Sequence, residues 1–142
     1  MREILFRGKG DKKYNDGMWY FGVPIRCYDG DWQICTNNSK RTVIPETIGQ
    51  YTGLKDKNGT KIFEGDIVKC IDTNNGGSFT AIVYFGNPNG EYNWGFQLVK
   101  IGGDNFNTNI LLWVDMEEAG AYIEVISNIY DNPELLEGDG SA

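Results

Sequence analysis

The placement of glycine constrains this chain more than any other feature. Glycine fills 19 of 142 positions, close to twice its ordinary share of roughly 7%. It falls at turns and not in low-complexity runs: Asn15-Asp16-Gly17, Asp29-Gly30, Asn58-Gly59, Asn75-Gly76-Gly77, Asn89-Gly90 and Gly102-Gly103. Asn, Asp and Gly tolerate the positive φ that tight hairpin turns demand. Between these turns lie short β-rich runs at 3–7, 18–28, 32–36, 62–63, 66–71, 79–85, 92–101, 110–114 and 121–130. Short strands at this spacing predict a mainly β, antiparallel small-barrel or sandwich architecture and not βαβ units.

Within 18–28, Trp19, Phe21, Val23 and Ile25 share one face at period two, and Pro24 marks the segment as an edge strand or a bulge. Helix is scarce. Pro45-Glu46-Thr47-Ile48 suits a single turn with Pro at the first helical position. Asn132-Pro133-Glu134-Leu135-Leu136 predicts a short C-terminal helix capped by Asn132, with Leu135 and Leu136 docked on the barrel. Asp115 to Ala119 fits either a third short helix or a loop. The expected organisation is one domain over 1–137, either undivided or built of two packed lobes at about 1–71 and 72–137, followed by a loose tail at 138–142.

Composition narrows the chemistry. There are 13 Lys+Arg against 20 Asp+Glu, a net charge of −7, and no His. The commonest general base and metal ligand is therefore missing. The acidic balance disfavours duplex DNA, whose phosphates are met by Lys and Arg. With 40% hydrophobic residues, the chain has the apolar area that disordered acidic chains lack. It carries no signal-peptide apolar run of about 7–15 residues and no stretch near the ~18 apolar residues of a membrane helix. A cytoplasmic location is the expectation. Cys27, Cys35 and Cys70 are odd in number, which suits reduced thiols, although Cys27 and Cys35 could also face each other across a hairpin.

No nucleophile elbow, Cys–His pair or phosphate loop appears, so no catalytic residue, metal ligand or cofactor is assigned and the chain reads as non-enzymatic. Glu64 and Asp66 are a conceivable carboxylate pair, but Gly65 between them favours a turn in which Asp66 accepts backbone N–H bonds. The run Asp72-Thr73-Asn74-Asn75-Gly76-Gly77 fails as a calcium loop, because Gly76 and Val83 stand where ligands are needed. Asp115, Glu117 and Glu118 read as a solvated acidic edge. Four Trp, eight Tyr and seven Phe belong at strand spacing in a core or a subunit interface. The runner-up use is base stacking, with Lys55, Lys57 and Lys61 beside Tyr51 as a single-strand site.

The most organised segment is Gln50-Tyr51-Thr52-Gly53-Leu54-Lys55-Asp56-Lys57-Asn58-Gly59 through Phe63-Glu64-Gly65-Asp66-Ile67-Val68. It resembles the signature of the YopX protein family, Q-Y-T-G-L-K-D-K-N-G-K-x-I-Y-E-G-D-I-V, with Thr60 and Phe63 as departures. A second block, Glu124 to Leu136, resembles the family ending V-I-G-N-I-Y-E-N-P-E-L-L, with Ser127 where Gly is usual. The opening Ile4-Leu5-Phe6-Arg7-Gly8 is similar as well. The resemblance implies a phage or prophage protein of unestablished function, β-rich, with a small barrel of the Src-homology-3 type, and self-associating. It supplies no catalytic residues. Gln50, Tyr51, Thr52, Gly53, Lys55, Asp56, Asn58, Gly59, Glu64, Gly65 and Asp66 are motif and interaction candidates; Asn58, Gly59, Gly65 and Asp66 would hold turns, and Tyr51 would pack. The leading expectation is a protein-binding or homo-oligomeric β module with a host or phage protein as partner. The alternatives are single-strand binding and an acidic mimic that blocks a host DNA-binding protein.

Overall fold

The computed structural model describes residues 4–74, 76–86, 95–102, 107–114 and 120–137. Eleven strands are described: β1 Phe6–Lys9, β2 Trp19–Arg26, β3 Trp32–Cys35, β4 Lys40–Val43, β5 Gly49–Lys55, β6 Lys61–Phe63, β7 Asp66–Asp72, β8 Gly77–Phe85, β9 Phe96–Lys100, β10 Asn107–Asn109 and β11 Ala121–Asn128. They form two antiparallel sheets, ordered β4-β3-β2-β1-β5-β6 and β10-β9-β8-β7-β11. The chain divides into two compact units, Met1–Gly53 and Leu54–Ala142. Among the described residues no helix is long and apolar enough to cross a membrane.

The mainly β, antiparallel expectation holds; the small barrel does not. Neither sheet closes. In the first unit one bridge, Gly10 to Val43, joins the residue after β1 to the far strand β4, so the sheet curls without a continuous closing ladder. In the second unit the edge strands β10 and β11 each pair on one side only.

Glycine decides which face of the first sheet turns inward. A side chain at Gly8 would sit 3.0–3.1 Å from Val43 and Ile34, and one at Gly22 would sit 2.2 Å from the Cys35 carbonyl. The backbones approach over this glycine-bearing face, where Ile34 and Val43 are buried. The opposite face of β2, which carries Phe21, Val23 and Ile25, is left outward. Pro24 is in no bulge, but it does stand where β2 is locally an edge, paired on one side only. Residues 19–22 of β2 pair with β1, and residues 23–26 pair with β3. Pro24 lies beyond the end of β1, where its missing N–H interrupts no ladder.

The second unit has its own core, in which Ile62, Val68, Cys70, Ala81, Val83, Leu98, Ile110 and Ile123 are buried together. Phe79 meets Trp113 edge to face at 5.4 Å. The apolar run 110–114, expected as a strand, is instead the single-turn helix α1, Leu111–Val114. Asn109 Oδ1 accepts the Leu111 N–H at 2.9 Å and so starts the turn. Pro45–Thr47 forms the expected single turn, of 3-10 type. The C-terminal helix is also a 3-10 segment, Pro133–Glu137. Asn132 closes it through its backbone carbonyl, which accepts from Leu135; its side chain takes the Ser127 hydroxyl instead. Leu135 and Leu136 stay exposed, so the docking expected of them is absent. The turns at 75, 89–90 and 103, the segment 115–119 and the tail 138–142 lie outside the described residues.

Candidate functional site

The motif residues divide between the two units. On β5, Gln50 stands opposite Phe6 and Gly49 opposite Arg7, and Tyr51 donates its N–H to Leu5 O at 2.8 Å. Tyr51 and Thr52 are each 5% exposed. Tyr51 therefore packs and offers no ring face to a base. Gly53 ends the segment at φ +88°, a region that side-chain-bearing residues avoid.

In the second unit the motif is a pair of backbone knots. Asp56 Oδ1 accepts the N–H groups of Asn58 and Thr60 at 2.8 and 2.9 Å. Its Oδ2 accepts Val125 N–H at 2.9 Å, where β11 departs from regular pairing between Val125 and Ser127. One carboxylate thus closes the Asn58-Gly59 turn and pins it to a strand 69 residues away. Gly59 takes φ +84° there. In the second knot Asp66, 1% exposed, accepts Phe63 N–H at 2.7 Å. Gly65 at φ +91° donates to Val83 O and accepts from Ile129 N–H, with the Tyr130 ring lying where a side chain would go. Asp66 Oδ2 is held by the backbone of its own turn, and Gly65, between it and Glu64, makes that turn. Lys55 and Asn58 are exposed.

A small depression of about 50 Å³ lies next to the first knot, lined by Lys55, Lys57, Trp113, Tyr122 and Ile123. Lys57 Nζ sits 4.1 Å from the centre of the Tyr122 ring, so this ring face is covered by the chain's own cation. No group of three or more metal-ligating side chains occurs among the described residues. The acidic cluster Asp115, Glu117 and Glu118 lies outside them.

A larger feature stands in the first unit. Directly opposed residues of antiparallel strands share a face. The register sets Arg7 beside Phe21, Lys9 beside Trp19, Cys35 beside Val23 and Lys40 beside Cys35. The outward face thus carries an apolar stripe, in which Phe21, Val23 and Ile25 are 47%, 58% and 45% exposed. Arg7 is buried under this face with its guanidinium 4.5 Å from the Trp19 ring centre. Strands β1 to β4 (FRGK, WYFGVPIR, WQIC and KRTV) hold no Asp or Glu. The period-two stripe was visible in the sequence, but its cationic border was not, because it depends on strand register. The same register sets Cys35 opposite Val23 while Cys27 lies beyond the far end of the ladder, its N–H donating to Asp31 O. The two thiols do not face each other, and all three are free.

Two crystal structures are among the solved structures that match. The crystal structure of the YopX protein of Bacillus subtilis is 23% identical, with 96% of this chain and 100% of that chain covered and a TM-score of 0.53. A crystal structure of an Enterococcus faecalis protein has the same identity and coverage with a TM-score of 0.43. Comparison with curated proteins finds no match. The model of the YopX protein family matches residues 7–137, and with the two motif blocks and the turn knots in place, the chain belongs to that family.

Proposed function

We propose that this chain is a non-enzymatic accessory protein of phage or prophage type, acting in the cytoplasm of a bacterial host as a protein-binding, self-associating β module. The observation that carries this reading is the outward stripe Phe21, Val23 and Ile25 on β2. Contiguous apolar surface on a folded chain marks a place where another surface is covered. Two of the motif carboxylates, Asp56 and Asp66, accept backbone donors, which supports a structural use of the motif. The single-strand reading loses its stacking platform, since Tyr51 is buried.

Size-exclusion chromatography with light scattering tests the proposal, together with affinity capture from host cells. Association, or a captured partner, that Phe21→Ser and Val23→Ser abolish is the expected result. A 16.0 kDa monomer with no captured partner sinks it.

A further inference from the structure

We propose that Asn58 is a site of spontaneous deamidation whose rate is set by the Asp56 knot. The chemistry needs an asparagine followed by a residue whose backbone nitrogen is unshielded. Asn58 is exposed, and nothing lies within 4 Å of where a Gly59 side chain would project. The Gly59 amide nitrogen attacks the side-chain carbonyl carbon of Asn58. A C–N bond forms, and the Asn58 amide leaves as ammonia with the Gly59 proton. Water, the one co-reactant, then opens the cyclic imide at either carbonyl and leaves aspartate or isoaspartate at this position.

The closed turn opposes the first step. Gly59 N–H, whose proton must be lost, donates to Asp56 O at 3.0 Å. Asp56 Oδ1 accepts Asn58 N–H at 2.8 Å and Thr60 N–H at 2.9 Å, which holds the backbone on both sides of the reacting pair. Oδ2 is tied to Val125 N–H at 2.9 Å, so the carboxylate cannot follow the turn as it opens. Attack therefore proceeds from the locally open turn, and its rate follows the population of that state. Two bonds to a charged acceptor make the open turn about a hundredfold rarer than the closed one. Asp56 is thus a positioning residue that restrains a reaction in which it takes no part.

The product undoes its own restraint. Either outcome adds a carboxylate two residues from Asp56 and takes the net charge from −7 to −7 − 1 = −8. Isoaspartate also lengthens the main chain by a methylene, so the Gly59 N–H and Asp56 O lose their register. The turn then loosens, and the tie to Val125 loosens with it.

The test holds the full-length protein at pH 8 with and without denaturing urea. Trypsin cuts after Lys57 and Lys61, and the released residues 58–61 are followed by chromatography and mass spectrometry. Folded wild type is expected to convert about a hundredfold more slowly than the unfolded chain. In urea, Gly59→Ala should convert more slowly than wild type, because its methyl group shields the attacking nitrogen. Asp56→Ala, shown by far-UV circular dichroism to be folded, should approach the urea rate, with Asp56→Asn between the two. In urea both Asp56 variants should match wild type, which separates restraint by the turn from any direct effect of the carboxylate. Hydrogen exchange at Gly59 N–H needs no variant: its protection in folded wild type should match the slowing of deamidation. Equal rates in folded and unfolded wild type, or a Gly59 amide that exchanges freely, overturn the proposal. So does a folded Asp56 variant that keeps the slow wild-type rate.

Discussion

Asp56 is the clearest case of a residue whose chemistry is absorbed by the fold. A buried carboxylate that accepts three backbone N–H groups satisfies donors on the hairpin and on β11 at once, and hydrogen bonds to a charged acceptor are among the stronger ones. Removing it orphans those donors, so Asp56→Ala is expected to cost about 3 kcal/mol in urea unfolding. Asp56→Asn keeps one carbonyl oxygen and should cost less, and an equal cost for both would show that the acceptor geometry is not what matters. Cys70 is a different kind of buried residue. Burial pushes its thiol up from 9.0 to about 12, so at pH 8 it should resist a thiol reagent that modifies Cys27 and Cys35. The unfolded thiol loses its proton near pH 9 while the folded one keeps it. Folding stability from this group is therefore intact below pH 9 and falls as pH rises toward 12. The stability advantage of wild type over Cys70→Ala should shrink across that interval; an advantage constant between pH 8 and pH 10.5 refutes the assignment.

At the scale of elements, two turns of the same backbone hand make contrasting tests. Gly59 and Gly65 both lie in the left-handed region, at φ +84° and +91°. Nothing lies within 4 Å of where a Gly59 side chain would project, whereas Tyr130 Cε2 is 3.1 Å from the corresponding point at Gly65. Gly59→Ala should cost about 1 kcal/mol, the backbone strain alone. Gly65→Ala adds displacement of the Tyr130 ring and should cost about 2 kcal/mol or more; the reverse order in thermal or urea unfolding contradicts the packing at Gly65. These turns were legible in the sequence because Asn-Gly and Gly-Asp chemistry is local. Strands β4 and β5 were not, since KRTV and GQYTGLK lack a long apolar alternation. The run 110–114 misled for the opposite reason: a short apolar stretch suits a strand or a helical turn equally. Ser127 stands in a family glycine position beside the β11 bulge, and no described non-glycine residue has positive φ, so glycine's conformational freedom is not needed there. The β2 stripe was readable as a stripe only. Which face of a strand turns to solvent is decided by what packs against the other side, here the glycine face over Ile34 and Val43.

For the molecule as a whole, the net charge of −7 conceals a strong division. Residues 1–53 hold 8 Lys+Arg and 6 Asp+Glu, a net of +2; residues 54–142 hold the remaining 13 − 8 = 5 and 20 − 6 = 14, a net of −9. Acidic residues along the chain are therefore not spread as a general solubilising coat. Their concentration in the second unit burdens it with self-repulsion in its compact state. That repulsion acts between solvent-exposed charges and is screened when the Debye length contracts from about 30 Å at 0.01 M salt to about 3 Å at 1 M. At low protein concentration, raising sodium chloride from 0.01 M to 0.5 M is expected to move the thermal unfolding midpoint up by a few degrees. A midpoint that stays level or falls would mean that the acids of residues 54–142 are already neutralised by neighbours within the fold.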